Sequence, residues 1–209
     1  MRRLVLALVA VALLGTSSTL AAQGRRDRDR GLVEVGSTGI RGGFFITGGL
    51  GAGRESFKFE DELEYSEPLT KPTLTLRLGG TPNSNVRLGG EIFAWGNEVP
   101  ETDEQFGGYE SFSTIMGTIQ FYPAPSQGLY LKGGGGIAMS SFDEEFGPTT
   151  TETGFGWTIG AGYEIPVSRK VAIAPTIDYY QGSFGQRNEP TLYERVLNIG
   201  VSVTFQTGR

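Results

Sequence analysis

The chain has 209 residues, enough for one domain, with 33 glycines, no cysteine and no histidine. Without cysteine there are no disulfides and no thiol chemistry; without histidine there is no Ser-His-Asp triad, no His-ligated metal and no usual general base. The formal charge is −5, and the first 22 residues carry two arginines and no acid, so their removal leaves 16 basic against 23 acidic residues, a balance that disfavours nucleic acid as a partner.

Residues 1–22 have the layout of a secretory signal peptide: Arg2 and Arg3, an apolar run Leu4–Leu14, then small and hydroxylated residues ending in Ala21–Ala22. The apolar run is shorter than the roughly 20 residues that a membrane-spanning helix needs. Residues 23–42 are expected to form a flexible periplasmic leader, opening on Arg25-Arg26-Asp27-Arg28-Asp29-Arg30 and holding few apolar residues to bury. Residues 43–206 are expected to be the folded domain.

From Gly43 onward the chain reads as eight runs that alternate polar with apolar residues, the period of a β-strand. They are Gly43–Phe57, Thr73–Thr81, Val86–Trp95, Ser111–Tyr122, Gly128–Phe142, Gly154–Ile165, Lys170–Gln181 and Tyr193–Gln206. The connections alternate between long and short. Eight antiparallel strands with alternating loop lengths predict an all-β, up-and-down transmembrane β-barrel, with short turns and both termini in the periplasm and long loops outside. In the sixth run Phe155, Trp157, Ile159, Ala161, Tyr163 and Ile165 share one face and Gly156, Thr158, Gly160, Gly162 and Glu164 the other. In the last, Leu197, Ile199, Val201, Val203 and Phe205 oppose Asn198, Gly200, Ser202 and Thr204.

The polar phase places Arg77, Arg87, Glu91, Lys132, Glu164 and Asp178 in the lumen, three of each sign. Buried charges must pair, so a neutral ion-pair network is expected to fill an interior only wide enough for side chains. Phe44, Phe45, Phe121, Tyr122, Tyr163 and Phe205 are expected at the periplasmic rim, and Phe57, Trp95, Phe112, Phe142, Trp157, Tyr179 and Tyr193 at the outer rim. The phase of the first, fourth and fifth runs stays open, because Gly and Thr fit either face. Pro175, in mid-strand, cannot donate to a ladder and implies a β-bulge.

Gly48-Gly49-Leu50-Gly51-Ala52-Gly53-Arg54 looks like a phosphate-binding loop but lacks the following helix that such a loop requires. Three long connections are acidic: Glu60, Asp61, Glu62, Glu64 and Glu67; Glu98, Glu101, Asp103 and Glu104; Asp143, Glu144, Glu145 and Glu152. Carboxylates suit Ca²⁺ or Mg²⁺, which would bridge these loops to anionic lipid, although no EF-hand pattern is present.

On the export signal, the strand count, the loop rhythm and the final strand Val196–Phe205, the chain resembles the small eight-stranded outer-membrane β-barrels of Gram-negative bacteria, the OmpA/OmpX-like and OprF-like porin-family barrels. The resemblance implies residence in the outer-membrane bilayer and recognition of the last strand by the barrel-assembly machinery. It brings no catalytic, cofactor-binding or metal-binding residue. The expected function is non-enzymatic, a structural or surface-interaction role through the acidic extracellular loops. The alternatives are a small ion or solute channel and a secreted lipocalin-like ligand-binding barrel.

Overall fold

The computed structural model describes residues 41–100, 107–144, 149–185 and 190–207. The signal and most of the leader expected at residues 1–40 lie outside the described residues. The strands are β1 (Gly43–Phe59), β2 (Leu69–Asn83), β3 (Val86–Val99), β4 (Gly108–Phe121), β5 (Leu129–Glu144), β6 (Thr149–Tyr163), β7 (Ile165–Pro166), β8 (Val171–Phe184) and β9 (Leu192–Gln206). From β1 to β6 each strand pairs antiparallel with the next, β6 and β7 both pair with β8, β8 pairs with β9 and β9 with β1, so the sheet closes on itself.

The short β7 is a continuation of β6. The pairing Gly162↔Thr176 resumes as Ile165↔Ile173 with no shift of register, and Pro175 faces Val201 of β9 in register. The barrel therefore has eight staves, one of them interrupted. The bulge expected at Pro175 is absent: the missing N–H breaks the ladder toward β6 instead of adding a residue. Glu164, at the break, stays tied to the other side through its backbone N–H, which donates to the Gly128 carbonyl at 2.8 Å.

Most strands run further toward the long-loop end than the apolar alternation indicates. Gly96–Val99, Thr149–Thr153 and Gly182–Phe184 are paired strand. These extensions are rich in Thr, Gly and charged residues, and pairing there needs no apolar outer face. Glu98, Asp143 and Glu152 consequently sit on strands, not in loops.

The barrel is apolar outside and polar inside. Leu50, Phe155 and Ile199 are 71%, 62% and 62% exposed, whereas Arg77, Glu91 and Asp178 are within 2% of complete burial. Ile46, Leu78, Leu88, Ile115, Ile137 and Val203 continue the exposed apolar band around the wall. A monomer in water rarely exposes a contiguous apolar patch above a few hundred Å². A band that encircles the whole wall requires an apolar surrounding, and a closed barrel can enter one because every ladder hydrogen bond is internal. The phases left open also settle: odd residues of β1 from Phe45 to Glu55 and even residues of β4 and β5 point inward.

Val201 sits midway along the apolar face of β9 and is 53% exposed. Val201→Arg is expected to cost about 2–4 kcal/mol in protein folded into phospholipid vesicles, as measured by guanidinium titration. A wall that faced water would register less than about 0.5 kcal/mol.

Candidate functional site

The interior is stratified. At the short-turn end Glu164 is the common acceptor. Its carboxylate takes the Arg41 Nε–H at 3.0 Å, the Tyr122 hydroxyl at 3.0 Å, and a close contact from Arg87 Nη1. Arg87 also donates to the Tyr122 hydroxyl and to Gln206 Oε1, each at 2.8 Å. Arg41 donates to the carbonyls of Pro125 at 2.8 Å and Gln127 at 2.9 Å, and its guanidinium lies 3.8 Å from the Tyr122 ring centre. Gly43, at φ 75°, links Arg41 to β1 through a backbone conformation that other residues rarely adopt.

The middle layer is built on Lys132. Its Nζ donates to Glu91 Oε1 and Oε2 at 2.9 and 2.8 Å and to the Tyr180 hydroxyl at 3.0 Å, and lies 2.8 Å from Asp178 Oδ1. The Tyr180 hydroxyl donates to Glu91 Oε1 at 3.0 Å. Arg77 Nε lies 3.2 Å from Glu91 Oε2 as an ion pair, without hydrogen-bond alignment. Two cations and two anions make this layer neutral. Gly160 leaves room for the Asp178 carboxylate, and a Cβ at Gly162 would stand 2.5 Å from the Tyr130 ring.

Above it lies an apolar layer of Phe93, Trp95, Phe112, Met116, Ala138, Tyr180, Phe184 and Val196. Phe93 stacks on Tyr180 with ring centres 3.8 Å apart, and Phe112 meets Phe93 and Phe184 edge-on. Beyond it, toward the long loops, are hydroxyl, amide and carboxylate groups, among them Glu55 and Glu194, both buried.

All six residues expected in the lumen are thus buried, but in two groups: Arg77, Glu91, Lys132 and Asp178 in one layer, Arg87 and Glu164 in another. Phe44, Phe121, Tyr163 and Phe205 lie half-exposed on the outer surface near the short turns. Trp157 and Tyr179 pack on each other at 5.4 Å on the outer wall toward the opposite end.

Trp95 is a correction. It is 3% exposed, inside the barrel, and its Nε1–H donates to the Gly53 carbonyl at 3.1 Å. It shares odd parity with Arg87 and Glu91 on β3, so the same alternation that buries them buries it. Phe45, Phe112 and Tyr122, also expected at the rims, are inside for the same reason.

Sequence reasoning missed Arg41 by assigning it to the leader. No alternation signals it, because Arg41 precedes β1 and Gly43, at φ 75°, interrupts the strand's parity before it. Tyr122, Tyr180 and Gln206 share inward parity with charged or polar neighbours and could have been found from that parity. In the first acidic loop, Glu60 and Glu62 accept the backbone N–H groups of Thr191 and Phe59. No group of three or more acidic residues among the described residues is arranged to hold a metal ion. Glu101, Asp103, Glu104 and Glu145 lie outside the described residues.

A closed antiparallel barrel with an apolar outer wall and a charge-paired interior defines the protein as a transmembrane β-barrel. The chain belongs to the outer membrane protein β-barrel domain family, which matches residues 7–205 and places it in the outer membrane. Among solved structures it is similar to Neisserial surface protein A, at 15% identity over 77% of this chain and 96% of that one, with a TM-score of 0.50. It is also similar to the Yersinia pestis attachment invasion locus protein Ail, at 15% identity over 77% and 99%, TM-score 0.46. The third is Pseudomonas aeruginosa OprG, at 15% identity over 82% and 100%, TM-score 0.44. Likeness at this identity concerns the fold. A search of curated protein sequences gives no match.

Glu164 neutralises two buried arginines. Glu164→Gln is expected to cost about 3–5 kcal/mol of unfolding free energy in detergent micelles. The exposed Glu67→Gln should move the denaturant midpoint little, and equal effects of the two would contradict a buried network.

Proposed function

We propose that this outer-membrane barrel is a non-enzymatic protein whose interior is a structural plug, and that it acts at its outer end in envelope structure or surface interaction. The observation that carries the reading is the saturation of Lys132, whose ammonium meets Glu91, Asp178 and Tyr180 in the middle of the lumen. A transported ion would have to displace one of these partners, then pass the stacked Phe93 and Tyr180 above and the Arg41–Glu164–Arg87 group below. Separating a buried pair costs several kcal/mol, and two such layers in series oppose conduction.

The plug frees the wall to serve as a rigid frame, and variable chemistry then falls to the loops that the frame holds. Their acidic residues suit cationic partners, divalent ions bridging to anionic lipid included. The final strand Val196–Phe205 would be the element that the barrel-assembly machinery recognises.

Planar-bilayer recording of the purified barrel tests the reading. It predicts no reproducible conductance at neutral pH. Steady single-channel steps that disappear in Lys132→Met or Glu91→Gln would replace it with the channel reading.

A further inference from the structure

The outward-facing residues just beyond the apolar band, at the long-loop end, differ around the barrel. On six staves the first polar outward position holds Thr70, Glu98, Ser113, Ser141, Thr153 or Gln181, none of them a cation. On the two remaining staves, β1 and β9, it holds Arg54 and Arg195. These staves are adjacent: Arg54 pairs with Leu197, and Ser56 pairs with Arg195. Lys58 follows on the same outward face of β1, paired with Tyr193. Three cations thus share one arc of the wall in an acidic chain.

This arc is built rather than merely charged. Arg195 Nε donates to the buried Ser56 hydroxyl at 2.9 Å, and the Arg195 guanidinium lies 3.4 Å from the Tyr65 ring centre. Lys58 Nζ lies 5.3 Å from the same Tyr65 ring. Among the described residues none of Arg54, Lys58 and Arg195 forms an ion pair, whereas every interior arginine does. The nearby Glu60 and Glu62 are engaged with backbone amides.

In an outer-membrane barrel the long loops are extracellular, so the arc lies where the hydrocarbon of the outer leaflet gives way to headgroups. Anionic headgroups are drawn to basic clusters at that depth, and an arginine held in place binds a phosphate with two donors. We propose that Arg54, Lys58 and Arg195 form a binding site for a phosphorylated lipid headgroup of the outer leaflet, with Tyr65 and Ser56 holding Arg195 in position.

The test uses the full chain folded in zwitterionic detergent micelles doped with lipid A, with lipid retention read by native mass spectrometry. The expected result is one lipid A retained in preference to its dephosphorylated form. Arg54→Gln and Arg195→Gln should each lower retention about fivefold, while Arg169→Gln, in a short turn at the opposite end, should leave it unchanged. Heat-modifiable migration in gels checks that each variant is folded. Equal retention of dephosphorylated lipid A, or unchanged retention in folded R54Q/R195Q, would overturn the proposal. So would displacement of the lipid by millimolar inorganic phosphate, since the site would then take a simple anion.

Discussion

The structure depends on one constraint: a barrel that gives its outer wall to lipid must satisfy every charge inside itself. The Lys132 ammonium is where this is met most tightly, among Glu91, Asp178 and Tyr180. An ion pair taken out of water returns its desolvation cost only when the geometry is good and the remaining hydrogen-bonding positions are filled. Around the Lys132 ammonium these positions are filled by groups from β3 and β8, strands far from β5 in sequence, while Arg77 joins the layer as an ion pair alone. Closure of the barrel and neutrality of its middle layer are thus the same requirement seen from the wall and from the axis.

The lower layer solves the same problem with unequal charges. Glu164 faces Arg41 and Arg87, and the excess positive charge is shared with the carbonyls of Pro125 and Gln127, the amide oxygen of Gln206 and the face of Tyr122. The interrupted stave belongs to this arrangement. Pro175 relaxes the ladder beside Glu164, which still holds Gly128 through its backbone. Between the two charged layers, Tyr122, Tyr130 and Ala174 form a second apolar cluster. Charged and apolar layers thus alternate along the axis.

Much of this was legible as parity. A period of two assigns every residue of a strand once one residue is assigned, which is why the six lumen charges could be named before any fold was known. The same logic was available for Trp95 and Phe112, but aromatic residues near strand ends also fit an interfacial girdle, and composition alone favours that assignment. Parity decides it, because Trp95 is four residues from Glu91. Arg41 escaped because β1 begins at Gly43 and no apolar alternation precedes it; its place is set by side-chain bonds to the β4–β5 turn. Strand ends were underestimated because pairing beyond the bilayer leaves no apolar signature. The grouping of Arg54 with Arg195 was hidden because they lie 141 positions apart in the chain and meet only when β1 closes on β9.

The central claim is that Lys132 and Glu91 stabilise the barrel as a coupled pair inside a closed interior. A double-mutant cycle on Glu91→Gln and Lys132→Gln, measured by reversible unfolding in lipid vesicles, tests it most directly. The account predicts a coupling free energy of about 2–5 kcal/mol. A value below about 0.5 kcal/mol, with both variants folded, would mean that water screens the pair and that the lumen is open.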